Sequence, residues 1–231
     1  MLAESGPSLD HEREAMRRGY CRVAGVDEVG RGCLFGPVVA AAVVLDPARA
    51  IEGLQDSKAI PAGLREELNA IIRERALAVS IASVDNVQID RLNIYQATRR
   101  AMRQAVSGLV LAADYLLVDA MKIDTPLPQE SLIKGDARSC SIAAASIVAK
   151  VERDRWLLDW DAQYPGYGLA SNKGYATAGH RRALVELGPT PLHRFSFRPV
   201  AEAAGVPLAS GAATLPLFSE IPVGTGRETA V

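Results

Sequence analysis

The sequence predicts an α/β domain built on a mixed sheet. Strand-like stretches come first, over residues 20–26 and 36–45, and strands and helices then alternate, the order that places helices over the faces of a sheet. The chain has 231 residues and is 48% hydrophobic, enough for one domain with a full core and a small appendage. Acidic residues recur at the ends of three predicted strands, where α/β sheets gather their functional groups.

Residues 10–19 predict a short lead-in helix stopped by Gly19. The strand over 20–26 is followed by one over 36–45, β-branched, entered through Pro37 and patterned for burial on both sides. A helix is expected over 62–76 and a strand over 77–84. A long amphipathic helix follows over 86–107, with Ile89, Leu92, Met102 and Ala105 on its inner face. Tyr115-Leu116-Leu117-Val118 forms a fourth strand ending in Asp119. Ser131-Leu132-Ile133 forms a short fifth that leads into Lys134-Gly135-Asp136. Residues 139–163 predict a helix whose small, apolar first half is deeply buried and whose charged second half carries Trp156 and Trp160 on one face. A loop of Pro, Gly and Tyr precedes a helix over 176–187. After Pro199 the composition turns to Ala, Gly, Pro, Thr and Ser. The expected organisation is a lead-in helix over 1–19, a main domain over 20–199 and a flexible tail over 200–231.

Charge and cysteine content narrow the functional class. With 26 Lys+Arg against 27 Asp+Glu the net charge is −1, so any basic surface is local. Cys21, Cys33 and Cys140 are odd in number, far apart and without CxxC spacing, which argues against a disulfide framework or a zinc site and fits a reducing cytosol. No apolar run has the ~18 residues that a membrane span requires, and the first twenty residues are charged throughout. A cytoplasmic protein is expected.

The most informative segment is Val23-Ala24-Gly25-Val26-Asp27-Glu28, followed at once by Val29-Gly30-Arg31-Gly32. Two adjacent carboxylates at the tip of a buried strand gain nothing from packing unless a cation neutralises them. The Gly-Arg-Gly loop brings bare backbone close to a ligand. Asp119 and Asp136 end the other strands of the predicted sheet, and one site built from three segments is the economical conclusion. Hard oxygen ligands of this kind suit Mg²⁺ or Mn²⁺, and four carboxylates can hold two such ions for phosphodiester hydrolysis.

The segment Gly25-Val26-Asp27-Glu28-Val29-Gly30-Arg31-Gly32 resembles the signature of type 2 ribonucleases H, the ribonuclease HII family. Further matches follow in order: Asp56-Ser57-Lys58; Leu92-Asn93-Ile94; Val118-Asp119; Lys134-Gly135-Asp136; the run from Ser141 to Lys150; Lys173-Gly174-Tyr175; and His193-Arg194-Phe195-Ser196-Phe197. The resemblance spans about residues 12–199. It implies a ribonuclease H-like fold, a mixed five-stranded sheet flanked by helices with a helical C-terminal extension. It also implies hydrolysis of the RNA strand of RNA–DNA hybrids and incision 5′ of ribonucleotides embedded in DNA, leaving a 3′-hydroxyl and a 5′-phosphate. Asp27, Glu28, Asp119 and Asp136 take the family's four metal-binding positions, with Mn²⁺ or Mg²⁺ as cofactor. The backbone of Gly30, Arg31 and Gly32 takes the role of contacting the ribose 2′-hydroxyl, the group that distinguishes RNA from DNA. Tyr175 matches the tyrosine that packs on the deoxyribose after the ribonucleotide, while Lys58 and Lys173 fall to substrate binding and His180 and His193 to structural hydrogen bonds. A monomer is implied. Asn172 stands where the family usually has His, Ala176 where Gly is common, and Ala59 where a second Lys is common.

Residues 171–198 carry Lys173, Arg181, Arg182, Arg194 and Arg198 against Glu186, five positive charges less one, or +4. This predicts a patch for a duplex backbone. In the tail, Thr214-Leu215-Pro216-Leu217-Phe218 resembles the bacterial sliding-clamp-binding peptide, with Thr214 in place of its Gln. Two rival functions fare worse. A dinucleotide fingerprint would need Gly where Phe35 stands, and a helix where Pro37 and a strand follow. A non-catalytic hybrid-binding module would have no need of all four carboxylates.

Overall fold

The computed structural model describes residues 6–58 and 60–208. A lead-in helix α1 (Asp10–Arg17) precedes strands β1 (Val23–Val29) and β2 (Val38–Val44). Helix α2 (Ala62–Arg75), strand β3 (Ala78–Val84) and helices α3 (Asn86–Leu92) and α4 (Ile94–Ser107) follow. Then come β4 (Tyr115–Asp119), β5 (Gln129–Leu132), a single 3-10 turn at Gly135–Ala137, and the 24-residue helix α5 (Cys140–Gln163). Helices α6 (Leu169–Asn172), α7 (Ala178–Leu187) and α8 (Arg198–Ala204) complete the described chain.

The five strands form one mixed sheet in the order β3-β2-β1-β4-β5. The first three pair antiparallel, whereas β4 runs parallel to β1 and β5 parallel to β4. Because side chains alternate across a strand, the sheet has two apolar faces. Ala24, Val26, Ala40, Leu116 and Val118 pack against Ile89 of α3 and Ala101, Met102 and Ala105 of α4. Val39, Ala41 and Val43 pack on the other face against Leu68 and Ile72 of α2 and the Ala143–Ala149 stretch of α5. Each wholly buried Ile, Leu or Met in these layers contributes about 1.5–3 kcal/mol. A separate core joins Leu34 and Phe35 to Leu157, Tyr167, Leu169, Leu184 and Val200, so the C-terminal helices pack on the segment that follows the Gly-Arg-Gly loop.

Helix α5 lies unusually close to β1. A Cβ on Gly25 would stand 2.0 Å from the Ser141 carbonyl carbon, so glycine is required for the helix start to rest on the strand. Ser139 caps that start, its hydroxyl accepting the Ile142 N–H at 3.2 Å. Glu12 of α1 adds a second cap: its Oε1 accepts from the Ser141 N–H at 2.9 Å and from the Ser139 and Ser141 hydroxyls.

Several expected boundaries move. The first strand extends to Val29, so Asp27 and Glu28 lie inside β1, paired with Ala41 and Ala40 of β2. The expected helix over 86–107 is two helices, broken at Asn93, whose φ of 66° ends α3 and whose side chain accepts the Gln96 N–H to begin α4. The fifth strand begins at Gln129 and leaves Ile133 exposed, because β4 pairs with residues 129–132. The tail boundary drawn at 199 also falls too early. Residues 198–204 form α8, and Val200 and Ala201 are wholly buried. Among the described residues no helix is long and apolar enough to cross a membrane. Residues 209–231, with the Thr214–Phe218 segment, lie outside the described residues, as does Ala59.

Candidate active site

Strands β1 and β4 run side by side, with Val26 opposite Val118, and the next residue on each is an aspartate. This register brings Asp27 and Asp119 together where pairing between the two strands ends. Glu28 joins them, and one carboxylate oxygen from each of the three lies within 4.8 Å of the others. Asp27 is 4% exposed and accepts the Glu28 N–H at 2.7 Å. Asp119 accepts the Gly135 N–H at 2.7 Å, which ties the end of β4 to the 3-10 turn. Asp136 sits in that turn, buried and next to Asp119, although it lies outside the three-carboxylate group.

All four carboxyls are pushed above their ordinary range. For Asp27 the cause is burial, then the charges of Glu28 and Asp119; for Glu28 it is burial, opposed by Arg31. Burial also raises Asp119, partly offset by the bond from Gly135. Asp136 rises through burial and the charges of Asp56 and Asp119. Desolvated carboxylates this close together stay ionised only beside a compensating cation. The donor set is hard oxygen throughout, and Glu28 Oε2 is buried with no hydrogen-bond partner. These residues therefore fit a divalent metal ion. Among the described residues the Arg31 guanidinium meets Glu28 Oε1 at 3.2 Å, and Lys58 offsets the charges of Asp119 and Asp136.

Two arginines hold the Gly-Arg-Gly loop and the segment after it from beneath: Arg194, expected on a basic surface, and Arg153, which the sequence did not single out. Arg153, in the charged half of α5, is wholly buried and donates to the carbonyls of Phe35, Pro37 and Lys173 at 3.0, 3.3 and 2.8 Å. Gly30 has φ +91°, and a Cβ there would stand 2.4 Å from Arg153 Nε, so its glycine serves both conformation and space. Arg194 is also wholly buried and donates to Gly36 O at 2.8 Å and Arg31 O at 2.9 Å. It therefore does not belong to the basic surface expected over 171–198. Arg198 pairs with Glu202 at 2.7 Å but stays exposed, so Lys173, Arg181, Arg182 and Arg198 remain the cations of that stretch available to a duplex.

The remaining candidates gather at a cleft of about 380 Å³ that runs from Glu28 past Ser57 and Lys58 to Lys173 and Tyr175. Lys58 sits in an Asx turn, its N–H donated to Asp56 Oδ1 at 2.9 Å. Burial opposes its charge, but Asp56, Asp136 and Asp27 together hold its pKa above the usual value. The buried Ser57 and Ser146 hydroxyls meet at 2.9 Å, joining this loop to α5, and Ser146 also faces the Asp27 carboxylate. The signal for that pair was faint: a lone hydroxyl in an otherwise apolar helical run. The Tyr175 ring is 41% exposed and lies against Gly32, where a Cβ would be 3.8 Å from Tyr175 Cε1.

A mixed sheet with an acidic group at the ends of its two central parallel strands defines the ribonuclease H class of metal-dependent nucleases. The structure of ribonuclease H2 from Pyrococcus horikoshii OT3 resembles this one with a TM-score of 0.69 at 25% identity, over 80% of this chain and 98% of that one. Ribonuclease HII from Archaeoglobus fulgidus, in its complex with PCNA, gives 0.67 at 28% identity, over 78% of this chain and 96% of that one. The family model for Ribonuclease HII matches residues 24–200. Ribonuclease HII of Solibacter usitatus (strain Ellin6076) is 57% identical over 197 residues, 85% of this chain and 86% of that protein. The chain belongs to the ribonuclease HII family, and is a metal-dependent nuclease for the RNA strand of RNA–DNA hybrids.

Proposed function

We propose that the enzyme also incises DNA immediately 5′ of a single embedded ribonucleotide, leaving a 3′-hydroxyl and a 5′-phosphate. The observation that carries this reading is the Tyr175 ring lying against Gly32 and lining the same cleft as Glu28 of the acidic group. A ribose seated on the backbone of Gly30, Arg31 and Gly32 presents its 2′-hydroxyl to peptide groups that no Cβ shields. The next sugar then meets the Tyr175 ring, which an apolar deoxyribose face suits and a further hydroxyl does not. Lys58 and Lys173 flank the cleft and supply positive charge for the backbone on either side.

Asp27, Glu28, Asp119 and Asp136 would hold two divalent ions, Mn²⁺ or Mg²⁺. Such ions, when bound, supply an activated water and stabilise the leaving oxygen of an in-line displacement. The protein fixes the carboxylates by the β1–β4 register and by the Gly135 N–H, so that little reorganisation is needed on loading.

A labelled DNA duplex with one ribonucleotide, incubated with Mn²⁺, Mg²⁺ or EDTA beside an Asp119→Asn control, tests the reading. Metal-dependent incision 5′ of the ribonucleotide that disappears in the control is the expected result. Cutting of a long hybrid without junction incision would overturn the roles given to Tyr175 and the Gly-Arg-Gly loop. As a partner we propose a sliding clamp, bound through Thr214–Phe218. The archaeal relative's complex with PCNA supports a clamp as the kind of partner. Deleting residues 213–231 is expected to abolish clamp binding and leave cleavage of a short duplex unchanged; unchanged clamp binding would remove the idea.

A further inference from the structure

Behind Tyr175 lie two wholly buried histidines, His180 of α7 and His193. The Thr190 N–H donates to His193 Nδ1 at 2.9 Å. A backbone amide can only donate, so Nδ1 carries no proton and Nε2 of His193 does. That proton points at His180 Nε2, 3.1 Å away. His180 therefore carries its own proton on Nδ1, which meets the Tyr175 carbonyl at 2.9 Å. One proton arrangement satisfies every contact: Thr190 N–H to His193, His193 to His180, His180 to Tyr175. Burial holds both imidazoles neutral, pushing His180 down and His193 down to about 3.

The chain closes a circuit around the Gly-Arg-Gly loop. Cys33 pairs with Tyr175 and Phe35 with His193 in isolated β-bridges, and the Phe35 ring stands edge-on to His193 at 5.0 Å. On the other side of the turn, Asn172 Oδ1 accepts the Gly174 N–H at 2.8 Å and its Nδ2 donates to Tyr167 O at 2.7 Å. Lys173 and Gly174 both hold positive φ there. An apolar pair would have packed α7 equally well without the desolvation cost of two imidazoles, so the pair serves direction rather than cohesion.

We propose that His180 and His193 are positioning residues that fix the Tyr175 backbone and so set the enzyme's selectivity for the ribonucleotide–deoxyribonucleotide junction. The inference rests on the junction reading given above. Its test compares incision at a single ribonucleotide with cleavage of a uniform hybrid, as a ratio of kcat/KM values, in folded variants matched by Tm. His180→Asn keeps a donor where Nδ1 stands, whereas His180→Gln places its amide at Nε2 and loses the bond to Tyr175 O. We expect His180→Gln to lower the junction-to-hybrid ratio on the order of tenfold and His180→Asn to restore it. If His180→Gln does not fold, His193→Gln, which loses the Thr190 bond, serves the same comparison. Equal losses on both substrates, or a ratio unmoved by a folded variant, would overturn the proposal. Tyr175→Ala separates the two levels. If it lowers the ratio and His180→Gln does not, this inference alone fails; if it leaves the ratio unmoved, the junction reading fails and takes the inference with it.

Discussion

Asp119 is held by a bond that does not depend on its charge. Its Oδ1 accepts the Gly135 N–H, which an asparagine oxygen accepts equally well. Asp119→Asn therefore removes charge from a crowded group while keeping the geometry. The sign of the effect follows from the raised pKa values. The folded protein binds more protons than the unfolded chain above about pH 4, so metal-free stability falls as pH rises through the folded-state values. Asp119 is partly exposed, so solvent screens part of the repulsion, and without metal at pH 7 the variant is expected to be more stable than wild type by ~1 kcal/mol or less. In thermal unfolding that advantage disappears near pH 4 and under saturating Mn²⁺; a variant less stable at every pH would refute the electrostatic account. The acids were legible in the sequence because carboxylates ending apolar strands have no packing rationale. Arg153 and Arg194 were not, since an arginine beneath a loop and one on a helix surface are spelled alike. Only the fold shows their guanidiniums turned inward on backbone carbonyls.

At the level of elements, the contact between β1 and α5 is the one that tolerates least change. A Cβ at Gly25 meets helix backbone, which cannot rotate away as a side chain would. Gly25→Ala is expected to cost ~3 kcal/mol or more, measured by denaturant unfolding, and to weaken metal binding because Asp27 is two residues on. A loss under ~1 kcal/mol would mean that the helix start shifts freely. Long elements with a clear period were legible: the two-side-buried β2, the small-residue half of α5, and α2. The rest turned on tertiary context. Asn93 divides the expected helix through a single positive φ, a choice that helical periodicity on either side conceals. Residues 129 and 130 joined β5 through pairing to β4 despite their polarity. Helix α8 is short and starts with an Arg-Pro pair, and its place comes from burying Val200 in the C-terminal core.

The whole molecule divides its work between two bodies of packing. The sheet with α2 to α5 supplies the carboxylates, and Arg194, in the segment between α7 and α8, joins Arg153 of α5 in bracing the Gly-Arg-Gly loop and the segment after it. That division was half legible: the α/β order of the chain predicted the first body, and no local pattern announced that residues 172–194 return to residues 31–36. Contacts such as Cys33 Sγ to the Lys173 carbonyl and Arg194 to the Gly36 carbonyl span 140 and 158 positions. Synthesis proceeds from the N-terminus, so a growing chain carries its four acids by residue 136 and lacks its full brace until residue 194 has been added. Between those points the Arg31 and Gly36 carbonyls have no Arg194 guanidinium beneath them. The order of the polypeptide thus puts the acids in place before the support of the loop proposed to contact the ribose.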